Sequence, residues 1–200
     1  MVSMILTGLY ETLLMTAASS FFSYVIGIPL GVILVVSDTS GIKPMPVLNG
    51  VLGSVINLIR SVPFMILLIM VIPLTRLMVG TSIGPVAVIP PLVIAAAPYI
   101  ARMVESSLKE VDAGVIEAAK SMGASNMQII FKVLLPESKP SLLVGAAISV
   151  TTILGYSAMA GFTGGGGLGT IAINYGYYRY QTDIMLITVA ILVILVQIIQ

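Results

Sequence analysis

The sequence predicts an all-α integral membrane protein with five transmembrane helices and a cytoplasmic two-helix loop between spans 3 and 4. Three observations carry that expectation. Of 200 residues, 58% are hydrophobic and 8% charged, with a mean hydropathy of +1.13, whereas soluble chains run near a quarter charged. Uncharged apolar runs of spanning length, each needing roughly 20 residues, recur along the chain. Nine charges crowd into residues 105–139, and only eight are spread over the other 165 residues. Composition also excludes functions. A net charge of +1 with no basic run offers nothing to neutralise the phosphates of a nucleic acid. Cys, His and Trp are absent, which removes disulfides, thiol nucleophiles, imidazole chemistry and His-based metal sites. No cofactor site is expected.

Span 1 is residues 12–36, uncharged after Glu11 and, at about 1.5 Å per residue, longer than a hydrocarbon core of about 30 Å. Its length and the lack of a basic n-region argue against a secretory signal. Gly27 and Gly31 have GxxxG spacing, but Pro29 between them favours a kink over a helix-dimer seam. Span 2 is residues 56–75, with Arg60 able to snorkel from its first turn. Span 3 is residues 85–100, where Pro85, Pro90, Pro91 and Pro98 predict a bent helix that leans on its neighbours. Spans 4 and 5 are residues 141–160 and 184–200. An odd number of spans puts the termini on opposite sides. Lys43, Arg60, Arg102, Lys109, Lys120, Lys132 and Lys139 then share one side against Arg76 and Arg179 on the other. That split makes the first side cytoplasmic and the N-terminus external. Tyr175, Tyr177, Tyr178 and Tyr180 fall where span 5 enters from outside, as an aromatic belt would.

The polar stretch 105–139 reads as two helices. Val111, Val115, Ala118, Ala119 and Met122 follow a 3.6-residue period, and Gly123 stops the first helix. Ser125 and Gln128 have capping-box spacing for the second. Met127, Ile130, Phe131 and Leu134 give that helix an apolar stripe, closed by Pro136 and Pro140. On periodicity alone, the alternative is an amphipathic loop lying on the membrane surface.

The loop also contains Glu117, Ala118, Ala119, Gly123, Val133, Leu135 and Pro136. This pattern resembles the EAA signature of binding-protein-dependent ABC importer permeases: Glu-Ala-Ala, Gly four residues on, then Ile-x-Leu-Pro, with Val133 in place of Ile. Further segments, among them Arg60-Ser-Val-Pro-Phe64, Ile72-Pro-Leu-Thr-Arg76 and Gly155-Tyr-Ser-Ala-Met-Ala-Gly161, make the whole chain similar to the permease subunits of methionine ABC importers. The resemblance implies a single permease domain over residues 1–200, located in a bacterial inner membrane among lipid. It implies a homodimer, with two ABC ATPase subunits docked on the loop, a substrate-binding protein outside, and methionine as substrate. The seven signature residues would then couple the chain to the ATPase.

Other energy sources lack their residues. No Asp or Glu falls inside a predicted span to couple ions, and no G-x-x-x-x-G-K-[ST] loop cradles ATP. Gly164 to Gly169 match G-x-G-x-x-G, but without a βαβ unit they read as a flexible or closely packed outer loop. In span 4, Ser141, Gly145, Ser149, Thr152 and Tyr156 share one face. That face either packs small residues against a helix or lines the solute path along Ser149, Thr152 and Tyr156, with the adaptable thioether of Met159 near its outer constriction. The expected function is therefore a non-catalytic importer permease. A permease for another small polar amino acid, or an ATP-independent channel, is the alternative; a channel would leave the EAA-like loop without a purpose.

Overall fold

A computed structural model describes all residues, 1–200. It contains helices and no strand: α1 Val2–Ser37, α2 Pro46–Ser61, α3 Phe64–Val79, α4 Pro85–Lys109, α5 Ala113–Ser121, α6 Asn126–Ile129, α7 Leu135–Glu137, α8 Lys139–Met159, α9 Gly167–Ile171 and α10 Thr182–Ile199. Segments of π winding join α6 to α7 and continue α9. Four helices, α1, α4, α8 (counted through Thr163) and α10, are each long and apolar enough to cross a membrane. A fifth crossing exists only if α2 and α3 are taken together.

That pair corrects the uninterrupted span 2. The chain leaves helical geometry at Val62 and Pro63, and Pro63 sits at ψ 136°. Proline has no N–H to continue the ladder and disfavours helical geometry in the residue before it. Span 3 also runs further than its apolar run suggested, because α4 continues to Lys109. Its charged last turns are held by ion pairs: Glu105 accepts from Arg102 at 2.6 Å and from Lys109 at 2.9 Å. The loop's second helix ends at Glu137, between Pro136 and Pro140, but it is not α-wound throughout. Deprived of an amide to offer the Lys132 carbonyl, the helix widens over Ile130–Leu134 and stays wound, with the Leu135 N–H donating to the Ile130 carbonyl.

The chain divides into two units, to both of which α1, α4 and α8 contribute. The first comprises Met1–Ser23, Val62–Ala96 and Ala147–Gln200. Met15, Phe64, Leu68, Val88, Leu92 and Ala160 form its core, against which the Tyr156 ring stacks on Phe64 at 4.5 Å, nearly parallel. The second comprises Tyr24–Ser61 and Ala97–Ala146. Here Ile100, Val104 and Leu108, one face of α4, meet Ala119, Ile129, Ile130 and Leu134 from the loop. Gly27 and Gly31 lie against that α4 face. A Cβ on Gly27 would come within 2.6 Å of Ile100 Cγ2, and one on Gly31 within 2.6 Å of Val104 Cβ. The GxxxG spacing thus serves close approach between two helices of one chain.

Candidate functional site

The loop between α4 and α8 is built from local signals. Asp112 caps α5, its carboxylate accepting from the Gly114 N–H at 2.7 Å. At the other end Gly123 takes φ +79°. Its N–H donates to the Lys120 carbonyl and that of Ala124 to the Ala119 carbonyl, at 2.9 and 3.1 Å, the paired bonds of a Schellman motif. A Cβ on Gly123 would meet nothing within 4 Å, so the left-handed φ, and not crowding, is what requires glycine there. The predicted capping box forms next: Gln128 N–H to Ser125 Oγ at 3.4 Å, and Ser125 N–H to Gln128 Oε1 at 2.8 Å.

These two ends fix which side chains face out, and the structure sorts the seven signature residues into two groups. Ala119 is buried, and Val133 and Leu135 pack against the same core as Ile129 and Leu134. Glu117, Ala118, Gly123 and Pro136 are exposed. The periodic stripe divides in the same way: Ala119 turns inward, joined by Ile116 from outside the stripe, while Val115, Ala118 and Met122 form an exposed apolar line. Met122 is 82% exposed, and Met127 and Phe131 on the following segment are 61% and 60% exposed. Sequence reasoning missed Ile116 as the inward anchor. No local signal separates it from Val115, which is equally apolar and β-branched.

The second set of candidates lies on α8. Ser149 is fully buried. Thr152 is half-buried and returns its hydroxyl to the Ile148 carbonyl at 2.8 Å, and Tyr156 is stacked on Phe64. Met159 is exposed, as are Ile148 and Gly155 on the neighbouring line of the helix. Nearer the start of α8, Ser141 Oγ donates to Ser107 Oγ at 2.9 Å, and Gly145 lies against the Met103 side chain.

The glycine-rich segment after α8 is closely packed. Gly164, Gly166 and Gly167 adopt φ between +74° and +82°, and a Cβ on Gly165 would come within 2.5 Å of Val88 Cγ2. The first turn of α9 is capped from α1: Glu11 Oε2 accepts from the Gly167 N–H at 2.6 Å, and Thr12 Oγ1 from the Leu168 N–H at 2.9 Å. A carboxylate at a helix N-terminus satisfies amides that the helix leaves open. Nothing near Glu11 in the sequence announces a partner 156 residues away.

Comparison with known proteins bears on this arrangement. Residues 27–200 match the family described as binding-protein-dependent transport system inner membrane component. The probable D-methionine transport system permease protein MetI of Vibrio cholerae is 51% identical over 98% of this chain and 88% of its own length. The D-methionine transport system permease protein MetI of Escherichia coli is 50% identical over 80% and 74%. Among solved structures, a chain of the inward-facing MetNI methionine ABC transporter, native crystal form, superposes with a TM-score of 0.98 at 49% identity, covering 100% of this chain and 93% of its own.

Proposed function

We propose a function for this chain, which belongs to the family of binding-protein-dependent transport system inner membrane components: it is the membrane-spanning, non-catalytic subunit of an ATP-driven importer that carries methionine into the cytoplasm. The observation that carries the coupling role is the exposed line Val115, Ala118 and Met122 beside Glu117, on a helix anchored from behind by Ala119. Small and flexible apolar side chains suit a docking partner that must approach closely, and Glu117 offers it a charge-assisted contact. Ala119, Val133 and Leu135 support that surface from the core side, and Gly123 and Pro136 shape its ends. The likeness to D-methionine permeases supports the substrate.

In this reading two copies of the chain form one permease domain each, an ABC ATPase supplies the energy, and an external binding protein delivers solute. The seven-to-two division of cations supports an external N-terminus. Solute moves past Thr152 and Met159, whose neighbours Ile148 and Gly155 are exposed, while Ser149 and Tyr156 flank the path from the packed side. The test is copurification with an ABC ATPase followed by methionine uptake into proteoliposomes. ATP-dependent uptake in a stoichiometric complex is expected; uptake indifferent to ATP, or an ATPase that never binds, overturns the reading. Cysteines at Thr152 and Met159, in a chain with none of its own, should label in a nucleotide-dependent way, with Ser149→Cys slower than Ile148→Cys in the nucleotide-free complex.

A further inference from the structure

In the second unit, a groove of about 400 Å³ lies between the last turns of α1 and the segment that follows Gly123. Ile28, Val32 and Val36 form one wall, and Met127, Phe131 and Leu135 the other. The volume is that of a small-molecule pocket, but pockets for polar ligands carry convergent polar groups, and every lining residue here is apolar. Two lysines border it in the chain. Lys43 donates its backbone N–H to the carbonyl of Val36 at 3.0 Å, and Lys132 follows Phe131 within the π-wound segment. Both are exposed, and neither enters any of the three ion pairs, which use Arg102, Lys109, Glu105 and Asp38.

An apolar trough at the end of a membrane helix, with two exposed cations on residues whose backbone adjoins its wall residues Val36 and Phe131, matches a molecule with a hydrocarbon tail and an anionic head. We infer that the groove binds an anionic glycerophospholipid, one acyl chain lying along Val32 and Phe131 and the phosphate held near Lys43 and Lys132. Basic residues at a membrane surface favour anionic over neutral headgroups, and an acyl chain supplies the apolar walls with packing contacts across the trough. The inference needs the chain to span a membrane but neither the transport direction nor the substrate.

The absence of tryptophan makes the test direct. Phe131→Trp gives the full-length chain one emitter on the groove wall, and Ile194→Trp gives one on an exposed face of α10. Each is reconstituted in phosphatidylcholine vesicles carrying either bromoacyl phosphatidylglycerol or bromoacyl phosphatidylcholine. For Phe131→Trp, half-quenching should need roughly thirtyfold less of the anionic lipid, the order two interfacial lysines give. For Ile194→Trp the two lipids should quench alike. Adding Lys43→Gln and Lys132→Gln should bring Phe131→Trp to parity while both lipids still quench. Equal quenching of Phe131→Trp in the lysine-containing chain overturns the inference. So does no quenching there while Ile194→Trp is quenched, which would mean that a second copy or another protein covers the groove. Met127→Trp, on the same wall, replaces Phe131→Trp if that variant does not insert. Because uptake is not read, failure here is separate from failure of the transport reading.

Discussion

Gly123, at the end of α5, and Gly169, inside α9, ask opposite things of the same residue. Gly123 has open space where a Cβ would go but needs φ +79°. Gly169 has ordinary helical winding, yet a Cβ there would lie 2.7 Å from the Ala158 Cα. One position needs glycine's dihedral freedom, the other its lack of volume. The loop that carries Gly123 is closed by hydrogen bonds it makes to itself, whereas the segment that carries Gly169 is held by contacts from α1 and α8. Strain at the first should stay local, and steric overlap at the second should spread.

The largest expected effect is therefore at Gly169→Ala. Its methyl group meets backbone, which cannot rotate away as a side-chain tip would, so the cost should reach or exceed the about 1–3 kcal/mol typical of overpacking. Thermal unfolding in detergent should show it; an unchanged transition would mean that the contact between α8 and α9 is loose. Next comes Glu11→Ala, which leaves the Gly167 N–H without its carboxylate. A hydrogen bond to a charged group is worth about 1.5–3 kcal/mol, and Glu11→Gln, retaining an acceptor, should recover part of it. Equal losses in the two variants would assign the effect to packing.

At Gly123 the comparison can be inverted. Gly123→Val should cost about 1–2 kcal/mol for its left-handed backbone and lower ATP-coupled uptake, while Gly123→Asn, more tolerant of that region, should behave nearly as wild type. A similar loss in both would show that a partner fills the space beside Gly123. Smaller still is an effect of acid on Asp38. The Lys109 ammonium donates to its carboxylate at 2.7 Å and holds the pKa below its ordinary value, with burial opposing and Thr39 assisting. A carboxyl depressed in the folded state adds stability above its unfolded value, about 3.9, and loses it as pH falls through the folded one. The Tm difference between wild type and Asp38→Asn should thus be present at neutral pH and close below about pH 4. A gap that persists in acid would rule out titration of Asp38 as its source.

The same contrast explains what could be read in advance. Charge-free runs marked α1, α4, α8 and α10, since membrane length imposes itself on composition. Gly123 and the Ser125–Gln128 box were legible because their partners lie within five residues. The break at Pro63 was missed because hydropathy does not fall there: Phe64 to Pro73 is as apolar as a single span. The inward face of α5 was also out of reach. Val115 and Ile116 are chemically alike, and only the α4 face formed by Ile100, Val104 and Leu108 decides between them. On α8 the small-residue face was visible, but Tyr156 stacking on Phe64 depends on a residue 92 positions earlier in the chain.

The bonds from Glu11 and Thr12 to α9 also carry a consequence in time. Both acceptors are made well before their donors, which lie 156 residues later in the chain. At about 5–20 residues per second, a ribosome needs roughly 8–30 s to cover that distance. Throughout that interval the first helix holds a carboxylate and a hydroxyl with no amide to receive. Until the glycine-rich segment emerges, the newborn chain must keep Glu11 in contact with water or the insertion machinery.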